Sequence, residues 1–167
     1  MTFALTSSIT RRGVVAGAAA LALPTVALAQ AASSAAKTPL VGPLAPNPAE
    51  FKKTYDQFVG KAKPQDSGLQ FDVPTLADNP SAVPVKAKVT LPITDTDWCE
   101  ELIVLAELNP SPLACRLQFT AAAGTAEAAV RVRLAQSQTL HALARMKSGK
   151  VLVAKQTVTV AASGCGM

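Results

Sequence analysis

The sequence predicts an all-β chain, an immunoglobulin-like β-sandwich of about seven strands with a short N-terminal helix and a flexible C-terminal arm. Three observations predict it. From about residue 69 onward, apolar and polar residues alternate in short runs broken by Pro, Gly and Asn, the period of strands with one buried face. One earlier stretch, around residues 48–59, carries its apolar residues at helical spacing instead. The last seven residues, Ala161-Ala162-Ser163-Gly164-Cys165-Gly166-Met167, set a cysteine between two glycines, where the backbone is mobile and slim. The Cys–Trp–Cys pattern of antibody domains is missing, so "immunoglobulin-like" describes architecture alone.

The 167 residues divide into an export signal (1–29), a linker with a short helix (30–67), the sandwich (68–160) and the arm (161–167). Arg11-Arg12 lead an apolar run over 13–28, and Ala27-Leu28-Ala29 fits a small-x-small cleavage site. Pro24 interrupts the run, which falls short of the roughly 18 apolar residues of a span. A cleaved signal of the twin-arginine type and delivery to the periplasm are the expectation, rather than a membrane anchor. No later segment is apolar enough to span. Cleavage removes two arginines and no acid, so the net charge drops from +5 to +3. That charge, without clustered Lys/Arg and aromatics, argues against nucleic acid. What remains is long enough to bury a core without metal or dense disulfides.

Residues 30–46, rich in Ala, Ser and Pro, read as linker. Asn47 is a good N-cap, Pro48 suits the first helical position, and Glu50 favours the positive end of a helix. Phe51, Tyr55, Phe58 and Val59 form one apolar stripe, and Gly60 can stop the helix. The stripe is expected to dock on the domain or on a partner subunit. Strands follow. Residues 69–73 form a first one, ended by Pro74. Val83, Val85, Ala87, Val89 and Leu91 alternate with Lys86, Lys88 and Thr90. Residues 102–107 are almost continuously apolar, as in a central strand. Cys115, Leu117 and Phe119 share a face opposite Arg116, Gln118 and Thr120. Val130, Val132 and Leu134 alternate with Arg131 and Arg133 after a turn at Gly124. Leu140, Ala142, Ala144 and Met146 alternate with His141 and Arg145, which places His141 on a solvated strand face. Lys147-Ser148-Gly149-Lys150 closes a hairpin onto residues 151–160, a β-branched run long enough for a full strand.

Three cysteines allow one bridge and leave one thiol over. Cys165 is expected to be the free one. Cys99 and Cys115 can pair or stay apart. Were Asn109-Pro110-Ser111-Pro112 the turn, Cys115 would face about residue 106, which argues against a simple cross-strand bridge, while a bridge between facing sheets stays open. No C-x-x-C or histidine cluster suggests zinc. Asp95, Asp97, Glu100 and Glu101 crowd around Trp98, and a solvated turn capped by Trp98 is a better reading than a metal or acid–base site. Arg131 and Arg133 are either an anion-attracting face or simply the polar side of a strand.

The tail carries the chemistry. The five residues ending at Cys165 could reach roughly 16 Å from the sheet, at about 3.3 Å each. No His, Lys, Arg, Asp or Glu stands among the seven tail residues to lower the thiol's pKa. A tethered, unassisted thiol suits being carried into other proteins' active sites, with Gly164 and Gly166 giving slimness and reach.

The tail resembles the Gly-Gly-Cys-Gly-Gly terminus of the SoxY family, the sulfur-carrying subunit of the bacterial thiosulfate-oxidising system. Upstream, Ala77-Asp78-Asn79 with Val83-Pro84-Val85 resembles that family's A-E-N-G-x-x-V-P-V. Leu105-Ala106-Glu107-Leu108-Asn109-Pro110 resembles its A-x-x-N-P turn, and residues 131–138 resemble its R-I-R-L-A-x-x-Q. The likeness covers roughly residues 68–167 plus the signal. Ser163 and Met167 depart from the two outer glycines, and residues 146–150 replace a more acidic turn. The resemblance implies a periplasmic carrier with no cofactor of its own, binding its substrate covalently on Cys165. It implies a heterodimer with a SoxZ-like subunit. It also implies transient contacts with a haem cytochrome that loads thiosulfate, a dimanganese hydrolase that releases sulfate, and in some organisms a sulfane dehydrogenase. Two other readings compete. One is a structural or binding sandwich whose Cys165 forms an interchain disulfide. The other is a thiol enzyme pairing Cys165 with His141.

Overall fold

The structure is a computed structural model that describes residues 42–161. The predicted signal (1–29), most of the linker, and tail residues 162–167, with Gly164, Cys165 and Gly166, lie outside the described residues. After a 3-10 turn at Gly42–Leu44 comes helix α1, Pro48–Val59. Its start is built as its sequence dictates. The Asn47 side chain accepts a 3.1 Å hydrogen bond from the Glu50 amide, and Pro48 opens the helix, where a missing N–H costs nothing. Gly60 ends it with φ 59, a conformation glycine tolerates best.

Eight strands follow: β1 Leu69–Asp72, β2 Leu76–Ala77, β3 Val83–Val89, β4 Cys99–Ala106, β5 Leu113–Gln118, β6 Glu127–Val132, β7 Gln138–Met146 and β8 Val151–Val160. They form two sheets, ordered β1-β3-β6 and β2-β8-β7-β4-β5. Every strand pair is antiparallel except β2 with β8. The extra strand over the expected seven is β2, two residues laid parallel to the end of β8.

Between the sheets lies the main core. Val83, Val85, Ala87 and Val89 of β3 face Leu140, Ala142, Ala144 and Met146 of β7 and Leu152 and Val158 of β8. Helix α1 covers the other face of the five-stranded sheet, packing Phe58, Phe51, Tyr55 and Val59 on Ile103, Leu105, Leu143, Val151 and Val153. The helix therefore docks on its own domain. Burying a side chain such as Phe58 contributes about 2 kcal/mol. Beyond the helix, Gln65 is stitched to β8 by two backbone hydrogen bonds, to Val151 and from Val153.

Covering that face overturns the expected exposure of His141. Its ring is 7% exposed, edge-on to Phe51 at 5.0 Å and to Tyr55 at 6.2 Å. Neither ring nitrogen has a hydrogen-bond partner, and Glu107 Oε2 stands 3.7 Å from Nε2. Burial depresses the pKa, the Lys155 charge across the β7–β8 pair adds to this, and Glu107 opposes it. A depressed histidine stabilises the fold fully above its unfolded pKa of about 6.5, and the contribution is lost as pH falls through the folded value. Chemical denaturation should thus show stability declining from about pH 6.5 downward. The His141→Phe variant should flatten that part of the profile, and an unchanged profile would show that His141 does not titrate with folding.

The acidic stretch around Trp98 also differs from the expected solvated turn. Asp97 and Thr94 do close an exposed turn, and Lys147 lies 5.3 Å over the Trp98 ring. Glu101 instead enters β4, is 8% exposed, and is held by Arg116 at 3.2 Å and by Arg145 directly opposite on β7. Arg145 also stacks 4.6 Å over Phe58, joining this ion pair to the helix.

Candidate functional site

The end of β8 is where the predicted carrier tail begins. Ten residues rich in Val and Thr make β8 a long strand, paired with β7 over its whole middle. Its last residues are held from both sides. Thr159 N–H donates to the Thr75 carbonyl at 2.8 Å, and Ala161 N–H donates to the Ala77 carbonyl at 2.9 Å. On the other side Val160 N–H donates to Ser137 Oγ at 3.0 Å.

Beside Ser137 lies a buried amide network that sequence reasoning did not single out as functional. Asn109 Oδ1 accepts from the Ala135 amide at 2.9 Å and from Gln138 Nε2 at 2.8 Å, while its Nδ2 donates to the Arg133 carbonyl at 2.8 Å. Gln138 Oε1 accepts from the Leu108 amide at 2.7 Å. The two side chains tie the β4–β5 turn to the segment joining β6 and β7. Buried amides are costly unless all their hydrogen-bonding groups are paired, and here they are paired well. The signal was in the sequence, because Asn109 falls in the segment that resembles A-x-x-N-P and Gln138 in the one that resembles R-I-R-L-A-x-x-Q.

The cysteines separate by environment. Cys99 is fully buried and Cys115 half-buried, both free and both against the same inter-sheet core. Cys115 stands opposite Val104 rather than residue 106, because the turn is centred near Asn109, with Leu105 already opposite Leu113. Cys99 is five positions back along β4, roughly 16 Å away, beyond the roughly 7 Å that a disulfide tolerates. They also share one sheet, so the bridge between facing sheets left open by their spacing is not formed. Burial pushes the Cys99 thiol up to about 11, partly offset by its contact to the Glu101 carbonyl. Burial raises Cys115 as well. Neither is a nucleophile near neutral pH.

His141 sits beneath α1, enclosed by two aromatic rings, so a tail thiol has no open path to it. The dyad reading therefore loses its base. Among the described residues no group of three His, Cys, Asp or Glu side chains could hold a metal ion, and no helix is long and apolar enough to cross a membrane. Gly164, Cys165 and Gly166 lie outside the described residues.

Fold and site define the class: an immunoglobulin-like β-sandwich that offers, in its described body, an anchored strand end and no catalytic cluster. The chain belongs to the SoxY family, since the family model described as sulfur oxidation protein SoxY matches residues 55–165. Among solved structures, the sulfur carrier protein SoxY from Chlorobium limicola f thiosulfatophilum is similar, with a TM-score of 0.56 and 20% identity, covering 69% of this chain and 99% of that one. The superoxide reductase from Nanoarchaeum equitans is similar at a TM-score of 0.49 and 11% identity, covering 58% of this chain and 99% of that one. That from Ignicoccus hospitalis follows at 0.47 and 12%, covering 57% and 82%. At these identities the likeness is one of fold alone. No curated protein sequence matches.

Proposed function

We propose that this protein is a periplasmic sulfur carrier of thiosulfate oxidation, holding intermediates covalently on Cys165 and presenting them to partner enzymes. The observation that carries the reading is that the family match extends to residue 165, the tail cysteine itself. The anchored end of β8 and the two unreactive internal thiols support it, because they leave the tail as the place for thiol chemistry. The subunit works as a heterodimer with a SoxZ-like protein.

The chemistry runs in two balanced steps. Thiosulfate joins the Cys165 thiol through a new sulfur–sulfur bond, giving Cys–S–S–SO₃⁻ with loss of one proton and two electrons, which a haem cytochrome accepts. Water then cleaves the sulfane–sulfonate bond on a dimanganese hydrolase, releasing sulfate and two protons and leaving a persulfide, Cys–S–S⁻. A sulfane dehydrogenase, where present, oxidises the remaining sulfur. Covalent attachment keeps the substrate at high local concentration for each enzyme in turn.

Intact-mass and peptide analysis of protein purified without reductant tests this. Adducts of sulfur or thiosulfonate should map to Cys165, leave with reductant, and spare Cys99 and Cys115. A full-occupancy disulfide-linked dimer through Cys165, without sulfur adducts, would support the structural-sandwich reading instead.

A further inference from the structure

We infer that helix α1 is a pH-released flap, hinged at Gly60 and closed over His141, whose N-terminal half lifts off the five-stranded sheet when the imidazole takes up a proton. The device belongs to the body of the sandwich and does not depend on what Cys165 carries.

Geometry divides the helix into a pivot and a half that can swing. Past its C-terminal end the chain is pinned, because Gln65 makes two backbone hydrogen bonds with β8. Phe58, nearest the pivot, is buried and stacked against Arg145. Between them Gly60 holds φ 59, with open space where a side chain would point, so the backbone there can turn without a clash. At the other end the Asn47 amide reaches the Asn109 carbonyl at 3.4 Å, a long bond. Phe51 and Tyr55 close this half. Both are only partly buried, and both close on His141.

A neutral imidazole tolerates this roof and a charged one does not. Among the described residues neither ring nitrogen has a hydrogen-bond partner, and an unpaired buried donor is costly, more so when charged. Each neighbouring element adds its own groups. β8 sets Lys155 directly opposite, where it repels an imidazolium. Glu107, just past β4, attracts one from 3.7 Å, but its side chain is 47% exposed and water screens it. α1 contributes Tyr55, which burial, with Asp66 and Asp56, keeps uncharged. The charged residues of α1 form exposed pairs with one another, Lys52 with Asp56 and Lys53 with Glu50. On β7 itself, Arg145 is paired with Glu101. Burial and Lys155 outweigh Glu107, so a proton favours the lifted state, where water reaches the ring.

Amide hydrogen exchange on the full chain tests this, with protection corrected for the intrinsic pH dependence of exchange. A lone helix of 12 residues is marginal in water, so lifting exposes its amides. Tyr55 and Asp56 amides should be less protected than those of Val85 and Val104 at every pH, the mark of local opening. Their protection should fall about tenfold from pH 7.5 to pH 5.5, because His141 charges only in the lifted state. His141→Phe should remove that fall. Glu107→Gln should extend it to lower pH and Lys155→Gln should cut it short, and these two exposed positions carry the test if His141→Phe fails to fold. Helix amides as protected as the strand amides, a protection that ignores pH, or tighter closure in acid would each overturn the flap. The first means that α1 leaves only with global unfolding, the second that it frays without uncovering His141, and the third that Glu107 wins.

Discussion

Cys165→Ala is expected to cut thiosulfate-dependent cytochrome reduction in a reconstituted system by about 10²-fold or more, because the variant offers no covalent hold on the substrate and loses the gain in effective concentration. Cys99→Ala and Cys115→Ser should keep most of the activity. Burial holds Cys99 as a protonated thiol up to about 11 and raises Cys115 in the same direction. The contrast among the three variants is the informative part. A fall of similar size in all three would point to damage of the fold. Parent-like turnover in Cys165→Ala would end the carrier reading.

The second large effect is on stability. Asn109→Ala should destabilise the protein by about 3 kcal/mol, because the Ala135 amide, the Arg133 carbonyl and Gln138 Nε2 lose a buried partner together. For a domain of this size that lowers the melting temperature by roughly 10 °C. Gln138→Leu should cost less, since it removes one member and leaves Asn109 two of its three contacts. Calorimetric melting of the two variants measures both. A loss below about 1 kcal/mol for Asn109→Ala would show that water replaces the network without penalty.

Strand periodicity carried most of the fold. The alternation in β3 and β7 and the capping signals at Asn47 and Pro48 describe local backbone, and the structure forms each of them. Face assignment was the weak point, because it depends on what covers a sheet. His141 alternates correctly with Leu140 and Ala142, yet its face is roofed by α1, so alternation alone assigned it to solvent. Glu101 looked like part of an acidic loop. Only the pairing of β4 with both β5 and β7 brings Arg116 and Arg145 to it. The two residues of β2 are too few to show any period, and their partner is far away in sequence. The Asn109–Gln138 network was visible as two motifs but not as one structure, since hydrogen bonds across 29 residues have no local signature.

The way β8 is held has a mechanical consequence. Sheet hydrogen bonds run crosswise to the strands, so a force directed along β8 loads many of them at once in shear rather than one after another. The eight-residue register with β7 and the parallel contacts from Thr75 and Ala77 all resist together. On the proposed carrier reading, a partner enzyme that drew on the terminal peptide would pull along the direction in which these hydrogen bonds resist together, and the body would bear repeated loading without unzipping.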